Sequence, residues 1–256
     1  MLIYEPKGKA REYSPLSMNI FNGCDHGCTY CYVPACTFRP DANTNPLQRK
    51  NVLHLLEKEL KASVPKEQVL LCFLCDPYPV HDIVPAITRQ VIEIFMKYSC
   101  KIAILSKGGK RALRDLDLFK RYHAGRIKFG TTLTFFNDAE RLKYEPNAST
   151  CQDRLETLEI IHDTGIKTFA SIEPVIDATE SLRVIAASLP HVDQYKIGKL
   201  NHDKTAKNTD WTKFLKNALL LTRPYGKEIY VKHDLREATT SIALTAKEQD
   251  MNALSL

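Results

Sequence analysis

Apolar runs and amphipathic stretches alternate along this chain. "VLLCFLC" at 69–75, "KIAIL" at 101–105 and "TFASI" at 168–172 are almost continuously hydrophobic, the pattern of parallel strands covered on both faces. The predicted strands are Ser17–Asn22, Gln68–Cys75, Lys101–Ser106, Ile127–Thr134, Lys167–Glu173 and Gln194–Gly198, and "EIYVKHD" at 228–234 adds a short final one. Between them the apolar spacing becomes helical. Ile87, Val91, Ile94, Phe95 and Tyr98 form one stripe, with Pro85 suited to its first turn. Leu53, Leu56 and Leu60 form another, ended by Pro65. Leu155, Leu158 and Ile161 form a third, closed by Gly165 at a C-cap position, and Trp211, Phe214, Leu215 and Ala218 a fourth. "RDLDLFKRY" at 114–122 and "SLRVIAASL" at 181–189 supply the remaining helices.

Strand and helix repeated about six times imply right-handed βαβ crossovers and a parallel sheet. Such a sheet is either flat and doubly wound or curled into a whole or partial barrel. A barrel gathers its chemistry at the C-terminal ends of the strands. The stretch after Arg236 is weakly patterned and is expected to be peripheral.

Composition narrows the class. With 256 residues, 44% hydrophobic and 26% charged, residues 1–256 are expected to form a single α/β unit with its core at about 14–234. No apolar run approaches the ~20 residues of a membrane helix. The N-terminus, "MLIYEPKGKAREY", carries charges where a signal peptide would be apolar. A cytosolic protein with no membrane partner is therefore expected. In that setting eight cysteines point to metal ligands, catalytic groups or buried thiols rather than disulfides. The net charge of +6 is a mild lean toward anionic partners such as nucleic acid, and basic enzymes with no such partner share it.

Cysteine spacing changes the picture most. "NGCDHGCTYCYVP" at 22–34 places Cys24, Cys28 and Cys31 within eight positions. A structural zinc site needs four protein ligands; no second CxxC pair follows at finger-like distance, which leaves His26 or Cys36 to complete one. A [4Fe–4S] cluster held by only three cysteines instead keeps its fourth iron open for a small ligand. Gly23 and Gly27 permit the tight backbone path that wrapping a cube demands.

CxxxCxxC just after the first strand, followed by repeated βα units, resembles the radical S-adenosylmethionine superfamily. "NIFNGCDHGCTYCYVP", "CDPYP" (75–79), "ILSKGGKRALRDLDLF" (104–119), "GTTLTF" (130–135), "RLETLEIIHDTGIKTFASIEPVI" (154–176) and "YKIGKLN" (195–201) are similar to its spore photoproduct lyase-like branch. The resemblance spans about Ser14 to Asp234. It implies a partial (β/α)6 TIM-type barrel with the cluster at its mouth. It implies S-adenosylmethionine on the open iron, cleaved by one electron to a 5′-deoxyadenosyl radical that removes a substrate hydrogen. A one-electron donor of flavodoxin or ferredoxin type follows from that scheme. The implied substrate is a nucleic-acid base or nucleotide-like molecule, DNA included. The same chemistry on a peptide or small metabolite is the alternative, and a zinc- or iron–sulfur-stabilised nucleic-acid-binding module is the reading of another class.

By the same resemblance, Tyr30 packs near the adenine, and Tyr32 either passes the radical onward or shields the cluster. Cys75, or its neighbour Cys72, is placed to return a hydrogen atom to a product radical; burial without a role is the alternative for both. Asp76 meets the amino group of the cofactor, unless the Asp-Pro-Tyr-Pro stretch is simply a turn. Lys107 in "SKGGK" reaches its carboxylate. Thr132 and Thr134 share one face of their strand, and one of them contacts ribose or carboxylate. Glu173 faces the mouth for ribose or substrate, or anchors a loop. Lys196, Lys199, Asn201 and His202 are substrate-side candidates. Phe135 and Phe136 either stack on a base or join the core. Lys110, Arg111 and Arg114 read as a solvated helix face before a DNA patch. His54, His162 and His191 read as ordinary surface or core residues.

Overall fold

The computed structural model describes residues 1–81, 86–122, 125–200 and 209–256. In chain order the strands are β1 (Leu16–Met18), β2 (Phe21–Asn22), β3 (Leu47–Gln48), β4 (Val69–Leu71), β5 (Ile102–Ser106), β6 (Ile127–Thr132), β7 (Lys167–Ile172), β8 (Gln194–Ile197) and β9 (Glu228–Val231). Seven of them form one all-parallel sheet in the order β1-β4-β5-β6-β7-β8-β9. Its first and last strands are not paired to each other among the described residues, so the barrel is partial. β2 and β3 form a separate antiparallel pair. The helices are α1 (Val33–Thr37), α2 (Val52–Ala62), α3 (Ile87–Lys97), α4 (Leu116–Arg121), α5 (Asp138–Tyr144), α6 (Cys151–His162), α7 (Ala178–Ser188), α8 (Trp211–Thr222), α9 (His233–Glu237) and α10 (Ala246–Gln249).

Side-chain alternation along the strands divides the interior in two. Leu71, Ile102, Ile104, Ala170, Ile197 and Val231 join the apolar faces of the helices in the main core, among them Leu56 and Leu60 of α2, Val91 and Phe95 of α3, and Leu158 and Ile161 of α6. The intervening residues Leu70, Ala103 and Phe169 form a second, smaller cluster with Tyr13. Partly buried Phe73 and Leu105 pack against it, and the same face also carries buried lysines. Lys128 lies 5.2 Å over the Phe169 ring, and Lys196 lies between the rings of Tyr13 and Tyr230 at 5.7 and 5.2 Å. Both lysines are fully buried.

Three expectations change. The first strand breaks in two because Asn19 turns its side chain across to the next strand, where Oδ1 accepts from the backbone N–H groups of Phe73 and Leu74, each at 2.9 Å. The same bonds end β4 at Leu71 rather than Cys75, since those amides no longer face a neighbouring strand. The stretch after Arg236 is integral instead of peripheral. Leu254 is buried, the Leu254 carbonyl accepts from Lys128 Nζ, and Leu256 N donates to Gln68 Oε1 at 3.1 Å. Burial, with Lys167 adding, pulls the Lys128 ammonium down to about 7, and its Nζ is satisfied by the Leu254 carbonyl together with Gln194 Oε1 at 3.1 Å. Pro85 lies outside the described residues; α3 itself begins at Ile87. No described helix is long and apolar enough to cross a membrane.

Candidate functional site

Cys24, Cys28 and Cys31 face one cavity of about 620 Å³ that also reaches Ser106, Thr132 and Glu173 at the C-terminal strand ends. The loop that carries them is pinned from behind. Gly23 (φ +98°) passes so close to Ala42 that any Cβ would overlap its carbonyl oxygen. Cys24 N donates to that oxygen at 2.7 Å, Gly27 N to Asn43 O at 2.7 Å, and Asn43 Nδ2 to Cys28 O at 3.1 Å. From the far side, Asn147 Nδ2 holds Asp25 O and Asn147 N holds His26 O, both at 3.1 Å. Burial pushes the Cys24 and Cys28 thiols above their usual range, so a metal with several positive charges is the natural partner for their thiolates.

A buried charge network stands beside Cys28. Lys107 Nζ lies 4.0 Å from Cys28 Sγ, 3.6 Å from Glu145 Oε1 and 5.1 Å over the Tyr30 ring. Glu145 accepts from the Tyr30 hydroxyl through Oε1 and from Arg154 through Oε2 at 2.5 Å. Arg154 spends its other donors on the carbonyls of Thr132 (2.8 Å) and Ser149 (2.9 Å). Burial opposes ionisation of Glu145, yet Arg154 and Lys107 outweigh it and hold the carboxyl down at about 2. Lys107 is pushed up, since Cys28 and Glu145 overcome its own desolvation. The outcome is a fixed ammonium aimed at the cavity beside the cysteines.

Asp76 is fully engaged within the protein. Its Oδ1 accepts from Tyr78 N at 2.8 Å and Ser106 Oγ at 2.7 Å, and its Oδ2 from Lys107 N at 2.7 Å, with His26 Nδ1 at 3.5 Å. His26 presents its other nitrogen to Arg111 at 3.1 Å. Burial first, then Lys107 and Arg111, keep this imidazole toward its neutral form against the pull of Asp76. Asp76 thus fixes the Lys107 backbone and the His26 ring. Cys75 is buried with Sγ 3.8 Å from Asn19 Oδ1, and burial beside Cys72 pushes its thiol well up.

The opposite wall is built by the N-terminal segment and β7–β9. The Tyr13 hydroxyl meets Ser171 Oγ at 2.5 Å and Glu173 Oε2 at 3.3 Å. Glu173 pairs with buried Lys232, and Lys9 lies 3.6 Å from its other oxygen. Gly198 leaves room for this pair: a Cβ would sit 2.7 Å from Glu173 Oε1 and 2.8 Å from Lys232 Cδ and would displace them. Tyr13, Phe73 and Tyr32 form an aromatic run, with centroids 5.5 and 6.0 Å apart.

The structure therefore brings Cys24, Cys28, Cys31, Tyr30 and Tyr32 onto one cavity, with Cys75, Asp76, Lys107, Thr132 and Glu173 on its remaining walls. Thr134 is not among them. It follows the end of β6, and its buried hydroxyl has no hydrogen-bond partner. Lys196 lies beneath the cavity floor, with Nζ 2.6 Å from Glu12 O, while Lys199 lines the wall. Phe135 stacks on Tyr144 at 5.1 Å within the core, and Phe136 packs under Arg183 at 4.7 Å. Cys36 is exposed on α1 with Sγ on the Val33 carbonyl at 3.4 Å. Lys110 and Arg114 are solvent-exposed as expected, Arg114 with its guanidinium 5.4 Å over the Tyr78 ring, while Arg111 is half-buried with Nε on the Tyr78 carbonyl at 3.2 Å. Asn201 and His202 lie outside the described residues.

Sequence reasoning missed Glu145, Arg154, Asn19, Tyr13 and Lys232. Arg154 is flagged only by an arginine on the buried side of an amphipathic helix, facing Thr157, Leu158 and Ile161. The others carry no local signal.

Residues 18–183 match the family described as the Radical SAM superfamily. The chain belongs to the Radical SAM superfamily. The cofactors of that family are a [4Fe–4S] cluster and S-adenosylmethionine, and its enzymes require an external electron donor. An uncharacterized protein of Methanocaldococcus jannaschii is 26% identical over 189 residues, 72% of this chain and 70% of that protein. Among solved structures, Streptococcus suis SuiB bound to S-adenosylmethionine superimposes with a TM-score of 0.65 at 9% identity, over 90% of this chain and 53% of SuiB. A spore photoproduct lyase variant with bound AdoMet and dinucleoside spore photoproduct gives 0.59 at 14% identity, over 86% of this chain and 64% of that one. The chain spans little more than half the length of SuiB, and at these identities the likeness concerns the fold. The donor set fits the family's cluster: three thiols on one wall, a cation beside them and a glycine-dependent loop behind.

Proposed function

We propose that this Radical SAM chain is an enzyme that removes a hydrogen atom from a nucleic-acid base or nucleotide-like substrate. The observation that carries the reading is the shared cavity of Cys24, Cys28 and Cys31, with Lys107 beside Cys28 and Cys36 outside the cavity lining. In this reading the three cysteines hold the [4Fe–4S] cluster and leave one iron for S-adenosylmethionine. When bound, the pair supplies a 5′-deoxyadenosyl radical. The protein's share is binding, orientation and exclusion of water.

Lys107 presents its charge to the cofactor carboxylate, positioned by Glu145 from one side and by Asp76 through its backbone. Tyr30, held by Glu145, would be the residue to pack against the adenine, and Thr132 on the same cavity would be a further contact for ribose or carboxylate. Glu173, fixed by Lys232 and Tyr13, offers its carboxylate to ribose hydroxyls or substrate. Cys75, with Cys72 also on the cavity lining, is the candidate hydrogen-atom donor, and Tyr32 with Phe73 gives a flat base an aromatic wall. Lys7, Lys9 and Lys199 also line the cavity, which suits an anionic substrate. A flavodoxin- or ferredoxin-type protein supplies the electron.

The test is anaerobic reconstitution and reduction with substrates deuterated at defined positions. Transfer of deuterium into 5′-deoxyadenosine from a nucleotide or oligonucleotide supports the reading. Transfer only from peptides or small metabolites refutes the substrate class, and a colourless zinc protein refutes the enzyme.

A further inference from the structure

A second group of metal-ligating side chains lies at the opposite end of the barrel. α6 ends at His162, Asp163 follows as its C-cap, and His191 closes the single 3-10 turn Leu189–His191. These residues precede β7 and β8, whereas the cysteines face the C-terminal strand ends. One ligand atom from each of the three lies within 4.8 Å of the others. The imidazole rings stand edge to face with centroids 6.0 Å apart.

Each ring has a carboxylate behind it. His162 directs Nε2 to Asp193 Oδ1 at 3.6 Å while its Nδ1 lies 3.8 Å from Asp163 Oδ1. His191 directs Nε2 to Glu159 Oε1 at 3.7 Å. Both Nε2 contacts are longer than a hydrogen bond, yet each leaves a carboxylate in reach of the imidazole's second nitrogen, the partner that metal-bound histidines characteristically use. Asp193 is itself anchored: its Oδ2 accepts from Thr168 N at 2.8 Å, and the Thr168 hydroxyl bonds the His191 carbonyl at 2.6 Å. One residue of β7 thus holds both the backing carboxylate and the main chain of a ligand. The C-terminus of α6 adds a partial negative charge where a cation would sit.

We propose that His162, Asp163 and His191 bind one divalent first-row transition-metal ion of the zinc class, independently of the cysteine cavity. Two imidazoles and one carboxylate suit zinc, cobalt or nickel; calcium and magnesium prefer all-oxygen sites. Metal–donor bonds of about 2.0–2.2 Å place tetrahedral donors roughly 3.3 Å apart, so the three side chains close by at most about 1.5 Å around the ion. Water completes the coordination. The ion clamps the end of α6 to the turn entering β8 and so locks two consecutive βα units together.

The experiment is titration of the cluster-loaded protein with cobalt(II) under anaerobic conditions. Expected are one equivalent of cobalt at micromolar affinity, visible d–d bands without the near-ultraviolet thiolate band that cysteine binding would produce, displacement by zinc and none by magnesium. His162→Gln and His191→Gln each weaken binding at least tenfold, and zinc raises the unfolding midpoint of the wild type but not of the double variant. A thiolate band with no other signal, millimolar affinity, or affinity unchanged in the double variant overturns the site. Because the readouts are cobalt spectra and unfolding, failure here leaves the reading of the cysteine cavity intact.

Discussion

Glu145 is the sharpest point of leverage on the site. Its carboxyl is held at about 2 against an ordinary 4.5. At about 1.4 kcal/mol per pH unit, that gap makes its ionisation worth roughly 3 kcal/mol of folding stability. The sign is set by the direction of the displacement. A depressed carboxylate contributes fully above its unfolded value near 4.5 and loses the contribution as pH falls from there toward 2. Glu145→Gln keeps the shape but leaves Arg154 and Lys107 without their buried anion, a change in the range of about 3–5 kcal/mol. For a chain of this length, 3 kcal/mol corresponds to a midpoint lower by about 6–12 °C. The assay is urea unfolding of the cluster-free protein, wild type against Glu145→Gln, from pH 7 to pH 2.5. The difference should be near 3 kcal/mol at neutral pH, in line with the linkage estimate, and should shrink steadily below pH 4.5. A difference that stays parallel across the range, or is absent at pH 7, refutes the view that paired buried charge holds this wall.

Three further outcomes follow from the cavity. Cys28→Ala should lose both the brown cluster absorbance and all S-adenosylmethionine cleavage, whereas Cys36→Ala, at a thiol outside the cavity lining, should keep both; absorption spectra and 5′-deoxyadenosine yield read the contrast. Lys107→Ala should retain the cluster but bind S-adenosylmethionine at least tenfold more weakly, about 1.4 kcal/mol, by equilibrium dialysis, and unchanged affinity would remove Lys107 from the cofactor site. Cys75→Ala should change the ratio of products while leaving S-adenosylmethionine cleavage in place, and an unaltered product profile would return that thiol to the core.

Local sequence carried much of this protein. Strand and helix order and parallel topology are consequences of apolar periodicity, a property of neighbouring residues, while the choice of a barrel over a flat sheet came only with the family resemblance. The three-cysteine loop is equally local, because its ligands sit within eight positions and its glycines announce the tight path. What only the tertiary structure decided are the partnerships between distant residues. Glu145 reaches Tyr30 across 115 positions and Lys232 reaches Glu173 across 59; no periodicity records which buried charge will meet which. Asn19 ended two strands by bonding amides more than fifty residues away, and the weakly patterned tail is drawn inward where its Leu254 carbonyl accepts from buried Lys128. An unpaired charge in a low-dielectric interior is costly wherever it lies in the chain. Its remedy is therefore chosen by the fold in space and not by spacing along the sequence.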